Sequence, residues 1–231
     1  MDNNVSDPQV LRAQLQRGLA TLALTLPGSV VEQLLQYLAL LAKWNRAYNL
    51  TAVRDIEQMV SRHLLDSLAV LPFIQGKKLQ AEGLRDKGIG SEKFADVGTG
   101  AGLPGLVLAI AAPHQQFDLF DSNGKKIRFV KQAIGELKLA NVTAFQSRIE
   151  QWQPDSGYDA VLSRAFASLS EMAALCEHLL APGGRLLAMK GNYPDDEIAA
   201  LPPHWQLQAA HALQVPDEPG QRHLIILSRR Q

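Results

Sequence analysis

Residues 93–105 run Lys-Phe-Ala-Asp-Val-Gly-Thr-Gly-Ala-Gly-Leu-Pro-Gly, with glycines at 98, 100, 102 and 105. Gly98, Gly100 and Gly102 have no Cβ, so the chain can turn sharply there and a ligand can lie against bare backbone. Phe94, Ala95 and Val97 read as a buried strand before the turn, and the apolar run 106–112 as a helix after it. Strand, glycine turn and helix in that order form the entrance to a nucleotide-type site. Pro104 suits the first helical turn, where a missing N–H is no loss. Two registers fit. Gly100-x-Gly102-x-x-Gly105 matches the dinucleotide fingerprint, whereas Asp96-x-Gly98-x-Gly100-x-Gly102 matches the acidic glycine turn of S-adenosylmethionine (SAM) enzymes. Asp121, about 20 residues on, suits either class.

Ligands of such folds bind outside the carboxyl ends of the strands, so the residues there carry the next information. Asp121 closes the second strand and can accept hydrogen bonds from ribose hydroxyls. Ile149 and Glu150 follow the third; an apolar residue beside an acid can flank an adenine. Arg164 ends the fourth strand. A cation delivered by a buried strand needs either a ligand or a structural carboxylate such as Asp96. Lys190, ending the fifth, carries the same argument. Lys125, Lys126, Arg128 and Lys131 open the next helix after Asp121. They read as a solvated face or as a phosphate contact, with Lys125 and Arg128 three apart on one side. His63 and Asp66 have the spacing of a structural hydrogen bond. Cys176 is the only cysteine, which excludes an internal disulfide, and it reads as a buried inert thiol. No Cys/His cluster has metal-ligand spacing, and neither a Gly-x-Ser-x-Gly elbow nor a Gly-Lys-Ser/Thr phosphate loop occurs.

The elements that must position these residues follow from periodicity. Strands are expected at 94–97, 117–121, 142–146, 158–163, 184–190, 205–213 and 223–228, with helices at 104–112, 124–139 and 168–181 between the earlier ones. That alternation predicts an α/β, Rossmann-like fold: a mostly parallel seven-stranded sheet with helices on both faces, finished by an antiparallel hairpin through 216–220. Helices expected over 7–25, 28–48 and 55–73 make residues 1–75 a helical cap packed on the same domain. Residues 76–92 read as a polar surface connection, and 93–231 as the core. The chain has 231 residues, 46% hydrophobic and 20% charged, with zero net charge. This is ordinary globular composition, and it argues against charge-driven binding of arbitrary nucleic acid. The acidic, polar N-terminus and the short apolar runs predict a cytoplasmic protein with no membrane segment.

Taken together the residues are recognisable. The chain resembles the bacterial 16S ribosomal RNA guanine-N7 methyltransferase family, small-subunit methyltransferase G, also called glucose-inhibited division protein B. The resemblance rests on ordered motifs across residues 30–230: Lys43-Trp44-Asn45-x-x-Tyr48-Asn49-Leu50-Thr51, Arg62-His63-Leu64-Leu65-Asp66-Ser67, Asp96 to Gly105, Asp121-Ser122, Ser147-Arg148, Ser163-Arg164-Ala165-Phe166-Ala167 and Lys190-Gly191. It implies a SAM-dependent enzyme acting on a guanine of small-subunit rRNA, as free rRNA, subunit or assembly intermediate. It places donor contacts on Gly98, Leu103, Ile149, Glu150 and Arg164, to which the residue reading adds Gly100 and Asp121. Arg148, Arg164 and Lys190 are the expected substrate-positioning cations; none is a general base, because guanine N7 carries an in-plane lone pair. A monomer is expected. The rival expectations are an NAD-dependent oxidoreductase using the other glycine register, and a non-catalytic rRNA-assembly module.

Overall fold

The computed structural model describes residues 7–76, 83, 91–166 and 168–230. Residues 1–6, Ala167 and most of the expected 76–92 connection lie outside the described residues. Helix α1 (Pro8–Thr21) begins at Asp7, whose carboxylate accepts the Gln9 N–H, and α2 (Gly28–Tyr48) ends at Asn49 in the left-handed conformation. The single helix expected over 55–73 is in fact four pieces: α3 (Ile56–Met59), a π turn over Val60–Leu65, α4 (Asp66–Leu68) and α5 (Leu71–Ile74). Two physical causes account for this. Pro72 cannot donate into a continuing helix and disfavours helical backbone just before itself. The wider π turn also lets residues 59–71 bury every side but that of Arg62, a pattern that a 3.6-residue stripe cannot give.

Seven strands form one sheet: β1 (Lys93–Val97), β2 (Gln116–Asp121), β3 (Val142–Gln146), β4 (Tyr158–Ser163), β5 (Leu180–Lys190), β6 (Trp205–Ala212) and β7 (His223–Arg229). Their order is β3-β2-β1-β4-β5-β7-β6. The first five run parallel, and β7 inserts antiparallel between β5 and β6. Helices α6 (Gly105–Ala111), α7 (Gly124–Leu137), α8 (Leu169–Cys176) and α9 (Asp195–Ala199) complete the chain. The helix expected over 168–181 ends early, in a 3-10 turn at Glu177–Leu179, and β5 starts four residues before its expected 184. Pro182-Gly183-Gly184 lies inside that strand, opposite a register shift between Tyr158 and Ala160. Gly184 belongs there because a Cβ would stand 2.8 Å from the Tyr158 carbonyl oxygen.

Side chains alternate across the sheet. Phe94, Phe117, Leu119 and Leu162 join Leu34, Leu38, Leu64, Leu106 and Phe129 in one buried cluster, so the helices before residue 75 share a continuous core with the sheet. Ala95, Val97, Phe120 and Val161 meet Leu169, Met172, Cys176 and Trp205 on the other face. Among the described residues no helix is long and apolar enough to cross a membrane, and no His/Cys/Asp/Glu group could hold a metal ion.

Candidate active site

Strand β1 lies between β2 and β4, so the connections from its neighbourhood leave in opposite directions and open a crevice at the carboxyl edge of the sheet. The glycine turn fills this position. Gly98, Gly100 and Gly102 have φ of 73°, 61° and 88°, a region that costs any residue with a Cβ. The Gly98 and Thr99 N–H groups both donate to the Phe120 carbonyl at 2.9 Å, anchoring the turn on β2. Gly105 answers a different need. Its Cβ would meet Asp96 Oδ2 at 2.7 Å and Leu119 Cγ at 2.9 Å, so it lets α6 approach the sheet. Pro104 occupies the N-cap of α6, one residue ahead of the expected first turn, and the Gly105 N–H, which has no intrahelical partner there, donates to Asp96 Oδ2 at 2.8 Å.

Asp96 is fully buried and builds the turn from below. Its Oδ2 also accepts the Thr99 hydroxyl at 2.6 Å. Burial pushes its carboxyl up to about 6, against the pull of the Thr99 and Gly105 hydrogen bonds. From above, the buried Tyr37 hydroxyl of α2 donates to the Ala101 carbonyl at 2.8 Å, with its phenol raised above the ordinary range by desolvation. Tyr37→Phe leaves that carbonyl unpaired and is expected to lower stability by about 1–3 kcal/mol, measurable by urea unfolding. Nothing in the sequence marks Tyr37 for this task, since its spacing is that of any core residue of α2.

Two cavities, of about 420 and 440 Å³, meet at Gly98 and Ala165, which line both. The first also gathers Thr51, Asp66, Gly100, Leu103, Arg164 and Lys190. The second gathers Asp121, Arg148, Ile149, Glu150 and Phe166. The expected site residues thus fall into two groups, and Arg148 stands apart from Arg164 and Lys190. Between the cavities the approach is tight: a Cβ on Gly98 would lie 2.6 Å from the Ala165 Cβ. Both oxygens of Asp121 accept backbone N–H groups, from Gly100 at 3.0 Å and Asn123 at 2.8 Å, and Lys126 Nζ lies 3.6 Å away. Its carboxylate is therefore fixed at the mouth of the second cavity.

Arg164 has a carboxylate partner, and it is Asp66 rather than Asp96. Its Nη1 lies 2.7 Å from Asp66 Oδ2, while Arg222 Nε lies 3.1 Å from Asp66 Oδ1. Glu218 extends the chain of charges, 3.6 Å from Arg222 Nη2 and 2.8 Å from Arg62 Nε. Lys190 is held in the same way, with Nζ 2.8 Å from Glu197 Oε2, and that oxygen also accepts the Leu169 N–H at 2.7 Å. Arg222 and Glu218 lacked any spacing signal; the return of β7 beside β5 brings their loop to the crevice.

The expected His63–Asp66 hydrogen bond is not formed. The π turn sends Asp66 to the two arginines and His63 to Thr51, with Nε2 3.0 Å from the hydroxyl oxygen. Asn45 holds that loop, accepting the Thr51 N–H and donating to the Val53 carbonyl. Burial lowers His63 to about 4. Between its ordinary value near 6.5 and 4 the unfolded chain binds a proton that the folded one refuses, so this group's contribution falls as pH falls. Asp96 acts in the opposite sense between about 6 and its ordinary value. In His63→Gln only the first effect disappears. The stability advantage of the wild type over that variant is expected to shrink steadily from pH 6.5 to 4, in denaturant titrations across that range.

Known proteins resemble this chain in sequence and in fold. The profile of the GidB family, described as rRNA small subunit methyltransferase G, matches residues 30–225. Proteins named ribosomal RNA small subunit methyltransferase G are similar over nearly the whole chain. That of Marinobacter nauticus is 50% identical, covering 94% of each sequence. The Vibrio cholerae protein is 48% identical over 95% of this chain and 98% of its own. Among solved structures, TrmN from Thermus thermophilus superposes with a TM-score of 0.52 at 18% identity, over 74% of this chain and 53% of that one. A SAM-dependent methyltransferase from Thiobacillus denitrificans, in complex with S-adenosyl-L-homocysteine, does so at 0.50 and 12% identity, over 72% and 90%. These two likenesses concern the fold.

Proposed function

Because the chain belongs to the rRNA small subunit methyltransferase G family, we propose that it transfers the methyl group of SAM to N7 of a guanine in small-subunit rRNA, as a cytoplasmic monomer. One observation carries the reading: the two cavities joined at Gly98 and Ala165. A donor laid across bare backbone there has its nucleoside in one cavity and its reactive end in the other. The cradle fits SAM because Gly98 and Ala165, packed too closely for a Cβ on Gly98, leave a small, bare wall shared by both cavities for the donor to lie against. Family membership selects the Asp96 register, and the NAD reading falls with it; the dinucleotide register leaves Gly98 without a task.

When bound, SAM supplies a methyl group on a positively charged sulfur. The chain supplies position. Asp121, already fixed by two backbone donors, keeps lone pairs for ribose hydroxyls. Ile149 and Glu150 frame the adenine, and Arg148 serves the same cavity. Across the neck, Arg164 and Lys190 are held by Asp66 and Glu197, so each presents its charge in one orientation to guanine O6, a phosphate or the donor's carboxylate. A fork on O6 and N7 together, common in duplex readout, would block the reacting atom. N7 attacks through its own lone pair, and alignment alone lowers the barrier. Asp96, the carboxyl raised toward neutrality, lines neither cavity. It belongs to the scaffold and takes no proton from the base. The target base must leave its stack to enter, which costs least in a loop.

The test is incubation of the protein with isotopically labelled SAM and unmethylated small-subunit rRNA, followed by borohydride reduction, aniline scission and mass analysis. Label at one guanine, with strand scission there, is expected. Label at another atom, or SAM binding without turnover, rejects the proposal; the second result would favour a non-catalytic assembly module.

A further inference from the structure

The net charge of zero hides an uneven distribution. Residues 33–54 carry three cations and no carboxylate, and residues 122–135 carry four cations and no carboxylate. These segments are most of α2 with the loop beyond it, and the body of α7. The fold brings them together. Trp44 lies 5.7 Å from Phe129, and Tyr37 lies 6.3 Å from it, so the end of α2 rests on the beginning of α7. Lys43, Arg46, Lys125 and Arg128 are exposed on these turns. Among the described residues none of the four has an ion pair. Of the other cations around the crevice, Arg164 and Arg222 are committed to Asp66, Arg62 to Glu218, Lys190 to Glu197 and Lys126 to Asp121, while Arg148 lines the second cavity itself. Tyr48, two residues beyond Arg46 on the last turn of α2, is 41% exposed and stacked on Trp44 with ring centroids 5.1 Å apart.

We propose that this joint α2–α7 surface is the binding face for the RNA backbone flanking the target base, with Lys43, Arg46, Lys125 and Arg128 on phosphates and Tyr48 stacked on an unpaired base. The inference rests on the rRNA reading above and names the surface that delivers the substrate. Its position suits that task. Leu50 and Thr51, separated from Tyr48 by Asn49 alone, line the first cavity, and α7 begins just after Asp121, which lines the second. Unpaired cations flanking an exposed ring are the means by which proteins hold single-stranded RNA: the charges track the backbone and the ring stacks on a base. Local charge also reconciles RNA binding with overall neutrality, since only phosphates at this one face release counterions.

The experiment uses the full chain with unmethylated small-subunit rRNA, measuring binding over a KCl series, methylation kinetics, and SAM affinity by calorimetry. Two double variants, Lys43→Gln with Arg46→Gln and Lys125→Gln with Arg128→Gln, are compared with Arg17→Gln on α1. Each double variant is expected to weaken rRNA binding about tenfold and to flatten the slope of log K against log[KCl] by about 1.4–1.8, the share of two phosphate contacts. SAM affinity should hold. Tyr48→Ala should weaken binding with the salt slope intact, and Tyr48→Phe should restore it. Wild-type slopes in both double variants overturn the proposal, as does a loss that Arg17→Gln reproduces. Failure of the methyltransferase reading is separate: the wild type would then place no label on the rRNA, whatever the salt dependence of its binding.

Discussion

Alanine at Asp66 is expected to lower folding stability by about 3 kcal/mol and kcat/KM for rRNA about a hundredfold. The carboxylate side chain is 6% exposed and holds two guanidinium groups that are about a third exposed or less. Removing it leaves like charges facing each other across the first cavity, with Arg164 free to leave its place. The stability figure sits at the low end for a broken buried pair because both arginines still reach water. The kinetic figure follows from the sensitivity of transfer to misplacement of about 1 Å. Asp66→Asn separates the two effects. It keeps the volume and one acceptor, so it should lose less stability than the alanine variant yet still lose most activity. Unaltered kinetics in a folded Asn variant would show that Arg164 needs no such tether.

The second large effect belongs to Gly98→Ala. The new methyl group would stand 2.6 Å from the Ala165 Cβ, on backbone at φ 73°. Left-handed backbone alone costs about 1–2 kcal/mol, and the collision must also push β1 and β4 apart or close the neck between the cavities. SAM affinity is expected to fall at least about a hundredfold by calorimetry, because Gly98 and Ala165 wall both cavities and the displaced wall no longer fits a donor laid across them. Gly100→Ala is the control. It suffers the same backbone strain at φ 61°, but its Cβ would meet only the Gly98 carbonyl oxygen, at 3.9 Å. It should therefore melt earlier while losing much less affinity for SAM. Equal losses in the two variants would mean that strain, and not the neck, governs binding.

Most of the sheet was legible because its signals are local. Short apolar runs bounded by glycine and charge placed all seven strands, and the glycine turn announced itself by composition. What stayed hidden depends on contacts distant in sequence. Pro182-Gly183-Gly184 is a normal turn signal and puts the expected start of β5 at 184, because only the pairing with β4 turns that tripeptide into a bulge. The helix over 55–73 looked continuous because its apolar positions repeat at three and four; the π turn shows only when burial on every side is seen. The site was half legible. Asp121, Ile149, Glu150, Arg164 and Lys190 sit at strand ends, where topology alone sends side chains toward a crevice. Arg222, Glu218 and Tyr37 come from a hairpin loop and a distant helix, and no spacing in the chain foretells a partner 64 residues away for Tyr37 or 156 for Arg222. The choice of Asp66 over Asp96 as the partner of Arg164 has the same origin. Asp96 spends its Oδ2 on the turn it supports, and its Oδ1 is buried beneath that turn without a hydrogen-bond partner among the described residues, so Arg164 pairs with Asp66 instead.

Cys176 closes α8 with no exposed surface, and burial lifts its thiol to about 12, with Glu150 adding to the effect. A thiol so placed stays protonated and out of reach of maleimides and methanethiosulfonates at neutral pH. A cysteine engineered onto the exposed turn of Lys125, or beside Tyr48, would thus be the one group to accept a dye or spin label, with no native residue to remove first. Distances between such a label and a tagged RNA would report docking on an otherwise unaltered protein.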